Sequence, residues 1–423
     1  MNVELFYPIL LESSGVCIDS REVVEGSVFF AFTGSSFNAA QNARQAIDRG
    51  AIAVIVEDAA FAAPQDKIFR VDSTLVFLQQ LARFHRKHLN IPVIGLTGSN
   101  GKTTSKELIH AVLSQHFRTQ YTKGNFNNHI GVPLSLLSVR AEHQIAVIEM
   151  GANHQGEIAF LCEIARPTFG YITNFGKAHL EGFGGLEGVI KGKSELYDYL
   201  KSEGATALVN QEDTLQVAKM EGYQPAIRFG VHSGQYLFTP LEEDRYIGIS
   251  FEGQKAISNL TGAYNFSNLS AAVALGLHFG VPLQKIKEGI EQYVPSNMRS
   301  QVVTKDHHTL VLDTYNANPS SMKEALANFS QFQGSKCAVL GAMKELGEYS
   351  MQEHADIYGL AQKSGLERII TVGVEFAQVG AQNENYSDVY ELIEGLNRNP
   401  IKEQNILIKG SRGTALEKCL ENL

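Results

Sequence analysis

The stretch IPVIGLTGSNGKTT, residues 91–104, decides how this 423-residue chain folds. A near-continuous apolar run of strand length meets a glycine-bracketed turn. KELIHAVL (106–113) follows, with Leu108, Ile109, Val112 and Leu113 on one helical stripe. A strand buried on both faces needs no alternation, and the unpaired amides of a helix N-terminus face the loop before it, so this order is the setting of a phosphate-binding loop. Gly98, Ser99, Asn100, Gly101, Lys102, Thr103 and Thr104 are the candidate cradle. In such a loop the lysine meets the outer phosphates and the following hydroxyl ligates Mg²⁺. The strict pattern G-x-x-x-x-G-K-[ST] asks for glycine at position 96, where this chain has Leu96. The competing reading is a plain glycine turn with a solvated lysine.

Working outward, QIAVIEM (144–150), TFGYITN (168–174) and ATALVN (205–210) repeat the strand signal with helix-length segments between them. Strands alternating with helices predict a mostly parallel sheet covered on both faces. Before the loop, VFFAF (28–32), AIAVIV (51–56) and KIFRV (67–71) lead to a helix over 72–90, with Leu75, Leu78, Leu81 and Phe84 at near-helical spacing behind Asp72 and Ser73. After it, VPSNMRS (294–300) breaks the pattern. TLVLD (309–313), KCAVLG (336–341), RIITVG (368–373) and NILIKG (405–410) then form a third series. The prediction is an α/β protein of three domains. These are a small N-terminal α/β domain over 1–90, a central P-loop ATPase-like parallel sheet over 91–298 and a C-terminal Rossmann-like domain over 299–423.

Composition narrows the class without naming it. Hydrophobic residues at 44% and charged residues at 19% are an ordinary globular mix, which excludes disorder, collagen and coiled coil. With 36 Lys and Arg against 45 Asp and Glu, the net charge of −9 offers no basic field for nucleic acid or an anionic membrane, so any anionic ligand must be gripped locally. No apolar run approaches the ~20 residues of a bilayer span. The N-terminus MNVELFYPILLESSGVCIDSRE lacks a basic leader, and the four scattered cysteines suit reduced thiols. A cytoplasmic location is expected.

Several side chains carry chemistry in this frame. Glu149 closes a strand beside the loop, where a phosphate-binding site needs a metal-holding acid; a turn-capping carboxylate is the alternative. TNFGKAHLEGFG (173–184) puts His179 in a glycine-rich loop, and KGKSELY (191–197) puts Lys193 on a helix whose default reading is a solvated face. TGAYNFSNLSAAVAL (261–275) offers Asn265 and Asn268, whose carboxamides suit an adenine edge as well as a helix cap. Arg299 lies in the hinge segment and Asp313 ends a strand. IKGSRGTALEK (408–418) reads as a strand-to-helix turn with Lys409, Ser411 and Arg412 placed for a carboxylate or phosphate on a helix N-terminus.

Taken with GNFNNHIGVPLSLL (124–137), EMGANHQGEI (149–158), AHLEGFG (178–184), DTYNANPSSM (313–322) and LIKGSRGTALE (407–417), the chain resembles the Mur ligase family over essentially its whole length. These are ATP-dependent amide-forming enzymes of peptidoglycan precursor synthesis. The family loop reads T-G-[ST]-x-G-K-[ST], so Leu96 fits it. Within the family the strings are most similar to the branch that adds D-alanyl-D-alanine to UDP-N-acetylmuramoyl-tripeptide. The resemblance implies ATP, two Mg²⁺ ions and a carbamylated Lys193. Thr103 and Glu149 would hold the first ion, His179 and Lys193 the second. Lys102, Lys193, His179 and Arg299 would be catalytic; Asn265 and Asn268 would lie at the adenine, Arg299 at the phosphates and Asp313 at the ribose. Ser20 and Arg21 would face the UDP group, with Asn127, Asn128, Tyr315, Asn316, Lys409 and Arg412 on the substrates.

One departure stands out. SSFNAAQNA (35–43) carries Ala40 where family members often have histidine, so the UDP end must be read by other groups. A monomer acting on small molecules, without nucleic acid or a membrane span, is expected. The alternatives are another Mur ligase, a folate-glutamating ligase, or an inactive nucleotide-gated homologue. The 94 residues before Gly95 argue against the folate enzyme, and Asn-Ala-Asn-Pro in place of Asp-Asn-Pro-Arg argues against the diaminopimelate adder. Retention of Lys102, Glu149, His179 and Lys193 together argues against an inactive scaffold.

Overall fold

The apolar run before the phosphate-binding turn becomes a strand, Val93–Thr97, buried at every position. The structure is a computed structural model that describes residues 1–34, 37–296, 298–381 and 384–423. Ser35 and Ser36 of the SSFNAAQNA stretch and Asn297 of VPSNMRS lie outside the described residues.

Strands are numbered along the chain. β1 (Gly15–Cys17), β2 (Ser27–Phe30), β3 (Ala53–Val56) and β4 (Ile68–Arg70) form a parallel four-stranded sheet in sequence order. The second sheet contains β5 (Val93–Thr97), β6 (Thr119–Tyr121), β7 (Ile145–Glu149), β8 (Phe169–Ile172), β9 (Thr206–Asn210), β10 (Ala226–Gly230) and β11 (Tyr236–Leu237), in the order β11-β10-β9-β8-β5-β7-β6. A small antiparallel sheet of β12 (Thr239–Glu243), β13 (Tyr246–Phe251) and β14 (Gln254–Thr261) follows. The last sheet has β15 (Gln301–Lys305), β16 (His308–Asp313), β17 (Lys336–Gly341), β18 (Arg368–Val372), β19 (Asn385–Tyr386) and β20 (Asn405–Lys409), in the order β15-β16-β20-β17-β18-β19. Only the β15–β16 pair is antiparallel there.

The α/β architecture matches the sequence reading, with two differences. The antiparallel sheet over 239–261 was not anticipated, and the segment after β20 is not the expected α-helix. Arg412–Thr414 and Leu416–Asn422 are 3-10 turns, separated by Ala415 at φ +49°. A left-handed residue cannot continue an α-helix, so no long helix N-terminus faces the cleft at that point.

The helix predicted over 72–90 runs from Thr74 to His88 with Ser73 as its cap, its hydroxyl accepting from the Val76 amide. It is buried against the second sheet's helices as well as the first sheet: Arg86 donates to the carbonyls of Ala165 and Arg166, and Gln79 to that of His129. Cys162, Cys337 and Cys419 are buried core residues.

Topology fixes where chemistry can occur. The chain leaves β5, goes outward to β6, returns through β7 and then crosses to β8 on the other side of β5. Loops leaving the carboxyl ends of these strands diverge around a crevice at that switch point, the usual ligand position of open α/β sheets. In the last sheet Asp313 and Lys409 end adjacent strands in register, and Gly341 ends the next.

Candidate active site

The phosphate loop is a backbone construction that side chains would block. Gly98 adopts φ +145°, and a Cβ there would lie 2.0 Å from Thr173 Oγ1. Gly101 adopts φ +75°, and a Cβ there would meet Asn268 Oδ1 at 2.7 Å. Glycine alone removes both conflicts. Lys102 opens the helix Lys102–Leu113 and folds back, its Nζ donating to the carbonyls of Gly98 at 2.6 Å and Ser99 at 3.1 Å. Burial lowers its pKa to about 8; Arg299 pushes the same way, and Glu149 opposes both.

Glu149, at the end of β7, is buried and densely served. Thr103 Oγ1 lies 3.1 and 3.3 Å from its two oxygens, Asn127 Nδ2 donates at 2.8 Å, and Lys106 Nζ lies 3.6 Å away. Lys106 is itself fully buried and donates to the Gly124 carbonyl at 3.3 Å. Asn128 Oδ1 accepts from the Ile130 and Gly131 amides where the next helix begins. Thr103 and Glu149 together present hard oxygen donors at the foot of the loop. Among the described residues no group of three or more His, Cys, Asp or Glu side chains makes an all-protein metal cage. That donor set fits Mg²⁺, which takes one or two protein oxygens and fills its octahedron with phosphate and water.

Lys193 corrects the expectation of a solvated face. The helix Leu186–Glu203 turns it inward, fully buried, with Nζ donating to the Ala152 carbonyl at 3.0 Å and lying 4.9 Å from the Phe183 ring. Burial, reinforced by the positive charge of Lys102, holds its ammonium well below the ordinary lysine range. The acid next on that helix, Glu195, accepts from the amides of Gly156 and Ala159. His179 follows β8 at φ +52°, its Nδ1 bonded to Glu345 Oε2. That bond is the largest influence holding the Glu345 carboxyl below its usual range.

Asn265 and Asn268 line the cleft as part of a network. Ser105 Oγ donates to Asn268 Oδ1, Asn268 Nδ2 to Asn265 Oδ1, and Asn265 Nδ2 to the Thr261 carbonyl, which ties the phosphate-loop helix to the helix Asn265–His278. Across the cleft Asp313 and Lys409 form an ion pair, with Lys409 almost fully buried. Arg299 lies 3.8 Å from the centre of the Tyr315 ring, and Arg412 approaches the same ring at 5.6 Å. Asn316 Oδ1 is used by the Ala317 amide. Third-domain residues also touch the loops directly: Asn318 Nδ2 donates to Asn100 Oδ1 at 2.7 Å, and Lys177 meets Ser320 Oγ at 2.9 Å through its amide and Glu353 at 2.5 Å through Nζ.

One cleft of about 440 Å³ therefore gathers Ser99 to Thr104, Asn127, Asn128, Glu149, His179, Asn265, Asn268, Arg299, Asp313, Tyr315, Asn316 and Lys409. Gly98 and Lys193 lie behind its wall, Lys193 bonded to Ala152 of the lining. Ser20 and Arg21 are not brought to it. Ser20 Oγ accepts from Asn42 Nδ2 at 3.0 Å, while Arg21 extends into solvent and pairs with Asp19 at 2.6 Å. The Arg21 hydrogen bonds hold Asp19 down to about 2.

Sequence reasoning passed over Lys106, Glu345 and Asn318. The available signals were a second lysine one helical turn after Lys102, and polar residues just past the strand ends at Gly341 and Asp313.

The comparisons with known proteins agree with this geometry. The family model "Mur ligase family, catalytic domain" matches residues 12–86, "Mur ligase middle domain" matches 96–276, and "Mur ligase, glutamate ligase domain" matches 298–423. A UDP-N-acetylmuramoyl-tripeptide--D-alanyl-D-alanine ligase of Bacillus subtilis is 33% identical across 97% of this chain and 93% of its own length. The ligase of the same name from Escherichia coli is 34% identical across 96% and 93%. A crystal structure of MurF from Acinetobacter baumannii superposes with a TM-score of 0.85 at 31% identity, covering 100% of this chain and 98% of that one. MurF ligase from Thermotoga maritima in complex with ADP gives 0.83 at 28% identity, covering 98% and 97%. The fold, the cleft and these matches place the chain in the Mur ligase family.

Proposed function

We propose that this chain joins D-alanyl-D-alanine to UDP-N-acetylmuramoyl-tripeptide at the expense of ATP, in peptidoglycan precursor synthesis. The observation that carries the reading is the convergence of the phosphate loop, the Thr103–Glu149 pair and the third domain's Arg299, Asp313 and Lys409 on one cleft. Residues 1–90 would bind the UDP-sugar, residues 91–298 ATP, and residues 299–423 would close over ATP and the incoming dipeptide.

The reaction runs in two steps. The terminal carboxylate of the tripeptide attacks the γ-phosphorus and ADP leaves, giving an acyl phosphate. The dipeptide amine then adds to the acyl carbon and phosphate leaves with the amine's proton released. Free carboxylate is a poor acyl donor, which is why ATP is consumed. Lys102 is suited to the outer phosphates once nucleotide replaces its Gly98 and Ser99 carbonyl partners, and Arg299 to charge on the transferring group. Thr103 and Glu149 would hold one Mg²⁺, and His179 and Lys193 a second; bound there, the ions would supply charge neutralisation at the phosphates. Asn265, Asn268 and Asp313 would receive the nucleoside. Asn127, Asn128, Tyr315, Asn316, Lys409 and Arg412 would line the substrate side, with Ser20 and Arg21 at the UDP group.

Carbamylation of Lys193 is supported by its burial. Only a neutral amine adds to CO₂, giving a carbamate and a proton, and the site disfavours the ammonium form. The product turns a buried cation into an anion suited to a second metal.

We place the enzyme in the cytoplasm, where its nucleotide substrates are made, as a monomer acting on small molecules. Among the described residues no helix is long and apolar enough to cross a membrane. Phosphate release measured with UDP-N-acetylmuramoyl-tripeptide and a panel of amines tests the reading. Release should depend on D-alanyl-D-alanine, and indifference to it would overturn the assignment.

A further inference from the structure

Two residues with left-handed backbone, one from the middle domain and one from the third, face each other. His179 sits at φ +52° and Glu345 at φ +60°, a region that residues with a Cβ rarely occupy. Each lies in a loop leaving the carboxyl end of a parallel strand, His179 after β8 and Glu345 after β17. Their side chains meet through His179 Nδ1 and Glu345 Oε2. An ionised carboxylate only accepts, so Nδ1 carries the hydrogen. In the neutral ring Nε2 is then the lone-pair nitrogen.

The loop that delivers Glu345 is clamped on both sides. Two residues before it, the Met343 amide donates to Nε2 of the fully buried His354 at 3.0 Å, and His354 Nδ1 donates to the Ser350 carbonyl at 2.7 Å. Lys344 pairs with Glu375 at 2.6 Å, and the Glu345 carbonyl accepts from the Glu181 amide at 3.2 Å, two residues beyond His179. Glu345 is half-exposed, and even a charged contact at such exposure adds little stability, so the fold alone gives no reason to hold two unfavourable backbone conformations. Orientation of the imidazole does.

We propose that Glu345 is a positioning residue: docking of the third domain brings its carboxylate to His179 Nδ1, fixing the tautomer and ring direction that present Nε2 as a ligand. The histidine is then competent only when the third domain is seated, which couples closure to assembly of the reactive site. Carboxylate partners of ligating histidines act in this way in metal sites generally. The inference rests on His179 being a ligand at the ATP end, as proposed above.

The test uses the full chain. In ¹⁵N-histidine-labelled protein without nucleotide or metal, His179 should carry its hydrogen on Nδ1. In Glu345→Ala it should revert to the Nε2–H form that free histidine favours. Glu345→Ala should also lower kcat by ~10–100-fold, leave KM for ATP nearly unchanged and regain activity at raised Mg²⁺. Glu345→Gln, whose carbonyl oxygen still accepts, should keep most of both properties, and it takes over the test if Glu345→Ala unfolds early. An unchanged tautomer, or a changed tautomer with wild-type kcat, overturns the positioning role while His179→Ala is inactive. Wild-type turnover by His179→Ala removes instead the reading on which the proposal stands.

Discussion

The ATP end and the N-terminal end of this molecule are built from the same device, a parallel sheet with loops gathered at the carboxyl ends of its strands, yet their charges are arranged oppositely. Around the phosphate loop Glu149, Lys106 and Lys193 are buried and already partnered. Just past β1 Arg21 stands in solvent and pairs with Asp19, two residues away. Buried polar groups are tolerated only when satisfied, so Glu149, Lys106 and Lys193 are held in place by protein partners before nucleotide arrives. The N-terminal end has no such constraint, and a UDP group bound there, as proposed, would have to organise it. A site that stabilises a transition state gains from fixed dipoles, whereas a site that only holds one end of a substrate does not.

That contrast can be broken by substitution. Lys102→Ala should have the largest effect, a loss of ~10²–10³-fold or more in turnover with the fold retained, measured by phosphate release and thermal unfolding. Wild-type turnover would take the phosphate loop out of the mechanism. Lys193→Ala should follow at ~10–100-fold, and partial recovery in millimolar acetate or formate would mark the lost group as an anion. Recovery by a small amine instead would show that the ammonium form is the working one.

Arg21→Ala should act mainly on KM for the UDP substrate, by less than ~10-fold, with kcat preserved. A fall in kcat with KM unchanged would mean that this end takes part in the transition state after all, and the difference between the two regions would disappear.

A subtler sharpening comes from protons. The folded, ligand-free Lys102 releases its proton at about 8, below the ordinary lysine value near 10.5. Below pH 8 both folded and unfolded chains hold this proton, and the burial penalty is felt in full. Between about 8 and 10.5 the unfolded chain holds more protons, so this group's contribution to stability rises with pH. Nucleotide should restore the charge. Calorimetry near pH 8.5 in buffers of different ionisation enthalpy should therefore show proton uptake on ATP binding, absent in Lys102→Ala. Equal uptake by both proteins would assign the proton elsewhere.

The contrast also explains what could be read from the chain directly. The strands around the loop carry apolar runs, IAVI over 145–148 and VIGL over 93–96, and burial on both faces writes them plainly. The antiparallel sheet was harder to read: β12, Thr-Pro-Leu-Glu-Glu, is almost entirely exposed, and the signal lay in the alternation of β13 and β14, where Ile247, Ile249 and Phe251 and then Ala256, Ser258 and Leu260 are buried. Lys102, Glu149 and Lys193 were accessible through motif spacing, but the burial of Lys193 was not, since a helical lysine points outward unless its neighbours forbid it. Gly192 beside it leaves no room for a side chain, as an added Cβ would lie 2.4 Å from Phe183. Glu345 was hidden for a different reason. Its partner is 166 residues away, and only the seating of one domain on another makes the pair.

Asn318 carries one more consequence. It caps the helix Pro319–Ser330 through a reciprocal bond with Ser321, and the same side chain reaches Asn100 in the phosphate loop. The fraying of a third-domain helix and the shape of a middle-domain loop therefore share one fastening. Whatever nucleotide does to Asn100 is transmitted as tighter or looser amide protection in the first turn of that helix, so hydrogen exchange at Ser320 to Met322 becomes a gauge of occupancy in a domain that contributes no backbone to the phosphate loop.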